Sequence, residues 1–246
     1  MLLFLGGCVP GNSPPVPTPP WTATAPPETA TPTVVWFPPT LTPTLPPTVQ
    51  AVPDTPVPVG LPHGALLLHD TFQEQTSLWL SNPVAGGRIT LQRNEITFTA
   101  SESKTYLFSI RSQPALQDFA VQVEVSLNLC QGLDEYGLLI RSTPPNNFYR
   151  FSLSCDGQVR IDRLYNGSVT SPQPWALSGY APRGAPGAVR LGVRAQGKTL
   201  AFYVNDVLHY TITDPSPAVG QIGLFVRNIS ASPLSISFRN LQIWEP

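Results

Sequence analysis

The fold class this sequence predicts is all-β: an antiparallel β-sandwich preceded by a disordered Pro/Thr-rich segment. Three observations predict it. Composition divides the 246 residues at Pro62: up to and including it lie 18 of the 30 prolines, only Glu28 and Asp54 as charges, and no Lys or Arg. From Phe119, Val121, Val123, Val125, Leu127 and Leu129 alternate with Gln122, Glu124, Ser126 and Asn128, the period of two that gives a strand one buried and one wet face. After His63 no stretch carries a useful helical period, and runs of strand formers are closed by Gly, Pro, Asn or Asp.

The chain opens MLLFLGGCVPG, in which Leu5-Gly6-Gly7-Cys8 resembles the bacterial lipobox, an apolar run and two small residues before a cysteine. The resemblance implies a signal remnant over 1–8 and an acylated Cys8. Two or more acyl chains would hold the protein on a membrane, giving an extracytoplasmic, membrane-anchored location at a bacterial cell surface. A signal peptide has a basic start and an apolar run of about 7–15 residues, and neither is present here. A buried or free thiol is the alternative reading of Cys8.

Residues 9–62 are built from Pro-Thr, Pro-Pro and Thr-Pro units. Proline fixes φ and removes an amide donor, so neither helix nor sheet propagates, and the segment is expected to be a semi-stiff spacer of polyproline-II type. Trp21, Trp36 and Phe37 interrupt it, either as incidental aromatics or as a docking motif. All 14 Lys and Arg lie after Gly87, balanced by 13 acids from His63 onward. That near-neutrality argues against a nucleic-acid partner, which selects a clustered basic excess.

Residues 63–246 are long enough for one well-buried β-domain. In order, residues 63–68 lead into HDTF at 69–72, strands are expected at 88–91, 95–99 and 106–110, and four follow from Phe119 to Leu164. These four are separated by Cys130–Glu135, by Pro144-Pro145-Asn146-Asn147, and by Cys155-Asp156-Gly157. Further strands follow at 187–195, 200–204, 207–212, 220–226 and 234–244. Asn205-Asp206 stands where a two-residue hairpin needs positive φ, which Asn and Asp tolerate. Phe238, Leu241, Ile243 and Trp244 suit a last strand that closes the core beside the first.

The segments HDTF, DFAVQVEV, EYGLLIR, NFYRFSLSCDGQVRIDRL, VRLGVRAQGKTLAFYVNDVLHYTITD, VGQIGLFV and FRNLQIW resemble the concanavalin A-like lectin/glucanase superfamily, in its LamG-like or DUF1080-like jelly-roll form. The resemblance covers His63 to Pro246. It implies a jelly-roll sandwich and a family of lectins, adhesion modules, carbohydrate-binding modules and some hydrolases, so it fixes fold before function.

Cys130 and Cys155 each end a strand, two strands apart, and so fall at one end of the sheet. In an exported chain a disulfide between them is expected; two free thiols or half a metal site are the alternatives. Arg141 and Arg150 flank the Pro144–Asn147 turn, and equal counting sets them opposite one another. Like charges so placed need an acid or a ligand between them, and Glu124 is the expected partner. Arg141, Arg150 and Glu124 are therefore the expected ligand-binding face, with a self-balancing surface charge network as the alternative. The Glu-x-Asp-x-x-Glu string of the superfamily's hydrolases is absent, Asp162 stands alone, and no catalytic residue is assigned. No cofactor is expected, apart from Ca²⁺ at the loop carboxylates Asp134, Glu135 and Asp156, which turn chemistry explains equally well. The expected function is a monomeric, surface-anchored, non-catalytic module for carbohydrate or another extracellular ligand. Its rivals are an adhesion module for a protein partner and a diverged glycoside or keto-sugar hydrolase.

Overall fold

A computed structural model describes residues 60–73, 78–144, 146–215 and 218–246. Cys8 and the Pro/Thr segment with Trp21, Trp36 and Phe37 lie outside these. All described residues belong to one compact unit.

Every strand pair is antiparallel, in two sheets. The first runs β13 (Val207–Thr213), β12 (Thr199–Val204), β11 (Gly187–Gln196), β6 (Phe119–Leu129), β15 (Leu234–Trp244), β4 (Glu95–Ala100), β3 (Gly87–Gln92). Strand β1 (Leu66–Asp70) pairs with the second half of β15, as expected for a last strand beside the first. The switch of partner falls at Asn240, whose φ of 48° bends β15 between its β4-paired and β1-paired halves. The second sheet runs β10 (Ser168–Leu177), β9 (Gln158–Tyr165), β8 (Asn147–Ser154), β7 (Glu135–Thr143), β14 (Gln221–Arg227), β5 (Tyr106–Arg111), β2 (Trp79–Ser81). No α-helix occurs among the described residues.

The inward residues of both sheets form one core. Val121, Val123, Val125 and Leu127 of β6 meet Leu138 and Ile140 of β7, Phe151 and Leu153 of β8, and Leu224 and Val226 of β14, all nearly or fully excluded from water. Each such side chain contributes about 1.5–3 kcal/mol by leaving water. Asn205 and Asp206, with φ of 50° and 66°, close the β12–β13 hairpin as their residue types predict.

Two expectations are corrected, and one strand is added. The four strands from Phe119 do not share one sheet: β6 lies in the first, and the chain crosses over before β7. The disulfide Cys130–Cys155 is present and therefore ties one sheet to the other instead of stapling neighbours within one. Strand β10 lies where no strand was expected: Pro172 and Pro174 cannot donate to a ladder, but as the outermost strand it tolerates them, and its pairing with β9 shifts register twice.

Candidate site on the outer face of the seven-stranded sheet

The register of the second sheet assembles its outer face row by row. One row is Tyr106, Arg227, Glu135 and Ser154; the next is Phe108, Phe225, Gly137, Ser152 and Arg160; the third is Leu80, Ile110, Gly223, Leu139, Arg150 and Asp162. Alternation forces this, because the residues between them fill the core. Gly137 permits it: a Cβ there would lie 1.9 Å from the Phe151 carbonyl oxygen and 3.1 Å from the Phe225 ring.

The charged members interlock. Asp162 Oδ2 accepts from Arg150 Nη2 at 2.6 Å and lies 3.0 Å from Arg160 Nε, while its Oδ1 accepts from Ser171 at 2.6 Å. Glu135 receives Arg160 and Arg227, each at 3.3 Å. Arg150 lies over the Phe225 ring at 5.7 Å and Arg160 over Trp175 at 4.5 Å. Burial works against the charge on Arg150, but Asp162 and Glu135 outweigh it and hold its pKa above the ordinary arginine value. Burial also pushes the Tyr106 hydroxyl up to about 12. That hydroxyl and the buried Ser152 hydroxyl have no hydrogen-bond partner among the described residues.

Beside this cluster a groove of about 550 Å³ crosses β5, β7, β8 and β14. Tyr106, Phe108 and Phe148 line it with Ile110, Leu139 and Leu164, and Ser142, Asn146 and Gln221 bring polar groups to it. Its size is that of a small-ligand cleft.

The expected triad of Arg141, Arg150 and Glu124 is not brought together. A bulge in β7 after Ile140 moves the hairpin register, so Arg150 faces Leu139. Arg141, at φ 52°, turns away and is buried. It donates to Asp214 at 2.7 Å and to the Gln117 and Gly197 carbonyls, while Tyr149 donates to Asp214 at 2.9 Å. The bulge needs Gly220, whose Cβ would sit 2.4 Å from the Arg141 carbonyl carbon. Glu124 is exposed on the other sheet, in register with Arg190 and Arg239 and accepting from Asn240. Arg150 alone of the three stands at the groove side, and its acid is Asp162.

Asp162, expected to stand alone, is the hub of the cluster. The calcium carboxylates serve three separate places. Asp134 caps the Ile229 and Ser230 amides, Glu135 binds arginines, and Asp156 holds Ser154 and Gln158 in the β8–β9 turn. Among the described residues no group of three or more His, Cys, Asp or Glu side chains is set to hold a metal ion.

The two-sheet architecture defines this domain as a concanavalin A-like jelly roll. Among solved structures it is similar to the carbohydrate-binding module CBM66 from Bacillus subtilis, at 18% identity and a TM-score of 0.55, covering 68% of this chain and 96% of that one. It is likewise similar to the β-glucanase of Bacillus licheniformis, at 13% identity and 0.56, covering 74% and 99%. The catalytic domain of an endo-1,3-β-glucanase (laminarinase) from Thermotoga petrophila aligns at 7% and 0.53, covering 73% and 97%. No family model matches the sequence. No curated protein matches it either.

Proposed function

We propose that the domain is a non-catalytic carbohydrate-binding module whose site is the groove on the outer face of the seven-stranded sheet. The observation that carries this is the meeting of aromatic and hydrogen-bonding chemistry in one cleft. Tyr106, Phe108 and Phe148 offer ring faces to the apolar side of a pyranose or furanose, and the adjoining arginine–carboxylate rows offer fixed polar groups for its oxygens. The similarity to a carbohydrate-binding module and to glucan hydrolases supports the same reading.

One feature favours a hydrolase as the second reading: Glu135 and Asp162 lie on one face, bridged by Arg160. A glycosidase needs one carboxyl to donate a proton. Here each carboxylate is almost buried and held by two guanidiniums, so neither stands free to meet a glycosidic oxygen. The same proposal puts the module at a cell surface through acylated Cys8 and the Pro/Thr segment, on the strength of the lipobox resemblance.

A glycan-array screen of the full chain, followed by calorimetry on any hit, tests the reading. Binding that is lost in Phe108→Ala, with no release of reducing ends over the same period, is expected. Silence across the array would sink the carbohydrate reading, and sugar release abolished by Glu135→Gln would replace it with the hydrolase.

A further inference from the structure

Building on the groove as a sugar site, we infer that its ligand is an acidic polysaccharide, one carrying carboxylate or sulfate groups. The argument lies in which charges the face presents. Arg150, Arg160 and Arg227 surround Glu135 and Asp162, so cations outnumber anions by three to two. The anions are hidden: the Glu135 and Asp162 side chains are 1% and 2% exposed, against 13%, 18% and 43% for Arg150, Arg160 and Arg227. An incoming ligand therefore meets guanidinium.

Hydrogen-bonding capacity points the same way. Every oxygen of the two carboxylates already accepts from a donor of the domain. By contrast, Nη1 of Arg160 and Nε and Nη2 of Arg227 donate to nothing among the described residues. A neutral sugar brings hydroxyls that must donate as well as accept. A carboxylate or sulfate brings only acceptors and negative charge, in the planar or forked geometry a guanidinium binds in pairs.

The test is calorimetric titration of the full chain with polygalacturonate, alginate and a sulfated galactan, each beside its carboxyl-reduced or desulfated counterpart. The expected result is binding to at least one acidic polymer, weakened about tenfold or more by removal of its charge and weakened by added salt. Polyuronates against the sulfated galactan tell which acid group is held. Arg227→Gln, on a half-exposed side chain, should weaken that binding several-fold with an unchanged urea midpoint, and Arg160→Gln should act in the same direction. Equal or better binding of the neutral counterparts would overturn the acidic-ligand inference and leave the sugar site standing. Binding of neither form of any pair would overturn both.

Discussion

Asp70, in the HDTF segment, shows how one carboxylate fixes an irregular stretch. It accepts from the Phe72 amide at 2.9 Å, the Trp79 indole at 3.0 Å and Arg111 Nε at 2.9 Å, joining β1 of one sheet to β2 and β5 of the other. Asp70→Ala leaves Arg111 almost buried without its anion, so unfolding in urea should show a loss of about 3 kcal/mol; a change within error would show that the pair contributes nothing net. Tyr106 makes a pH prediction. Burial, partly opposed by Arg150, puts its pKa at about 12, while an unfolded tyrosine ionises near 10. The folded state thus holds its proton harder, so this contribution is fully present below about pH 10 and is lost as pH rises towards about 12. Urea midpoints should be level from about pH 8 to 9.5 and fall above 10, less steeply in Tyr106→Phe; identical profiles would refute the assignment. At this scale legibility turned on counting. Pairing outward from the three-residue turn Cys155–Gly157 does place Asp162 opposite Arg150, so the hub was readable from the sequence. The same counting fails at the Pro144–Asn147 turn, because the positive φ of Arg141 and the approach of Gly220 are long-range events with no local signature.

Among the elements, β5, β7, β8, β9 and β14 carry the site, and the disulfide ties the chain's entry into their sheet to β6. Cys130 leaves the first sheet and Cys155 ends β8 in the second, so the bond closes the crossover between them. For a separation of 25 residues, loss of loop-closure entropy in the unfolded chain gives about 3.5 kcal/mol. The Cys130→Ala/Cys155→Ala double variant should lose stability of that order in urea, and a loss well under 1 kcal/mol would mean that the crossover is fixed by packing alone. Gly137→Ala should disrupt the β7–β8 ladder, since its methyl would occupy the space of the Phe151 carbonyl; an unchanged stability would show that the strands separate freely there. Most strands were legible because alternation and turn residues are local. The sheet to which β6 belongs was not, because a period of two says which residues face a core and not which partner lies alongside. Nor was β10, whose Pro172 and Pro174 read as a break unless its edge position is known.

Taken as a whole, the described domain has two outer surfaces of different character. The eight-stranded sheet is partly covered: Leu61 is buried with Ala120, Tyr203 and Trp244, and His63 stacks on Trp244 at 4.4 Å. Glu124, Arg190 and Arg239 of that sheet sit in the open. The seven-stranded sheet carries the groove and the arginine–carboxylate rows. The sandwich could be foreseen from the sequence, but not which of its surfaces binds, because that depends on residues of five strands meeting in register. The central claim is that binding belongs to the seven-stranded sheet. Its most direct test is parallel calorimetry, against the best array ligand, of Phe108→Ala with Arg160→Gln on that face and of Glu124→Gln with Arg190→Gln on the other. The account predicts at least a tenfold loss of affinity in the first pair and unchanged affinity in the second. Loss confined to the second pair, or affinity unchanged in both, would contradict it.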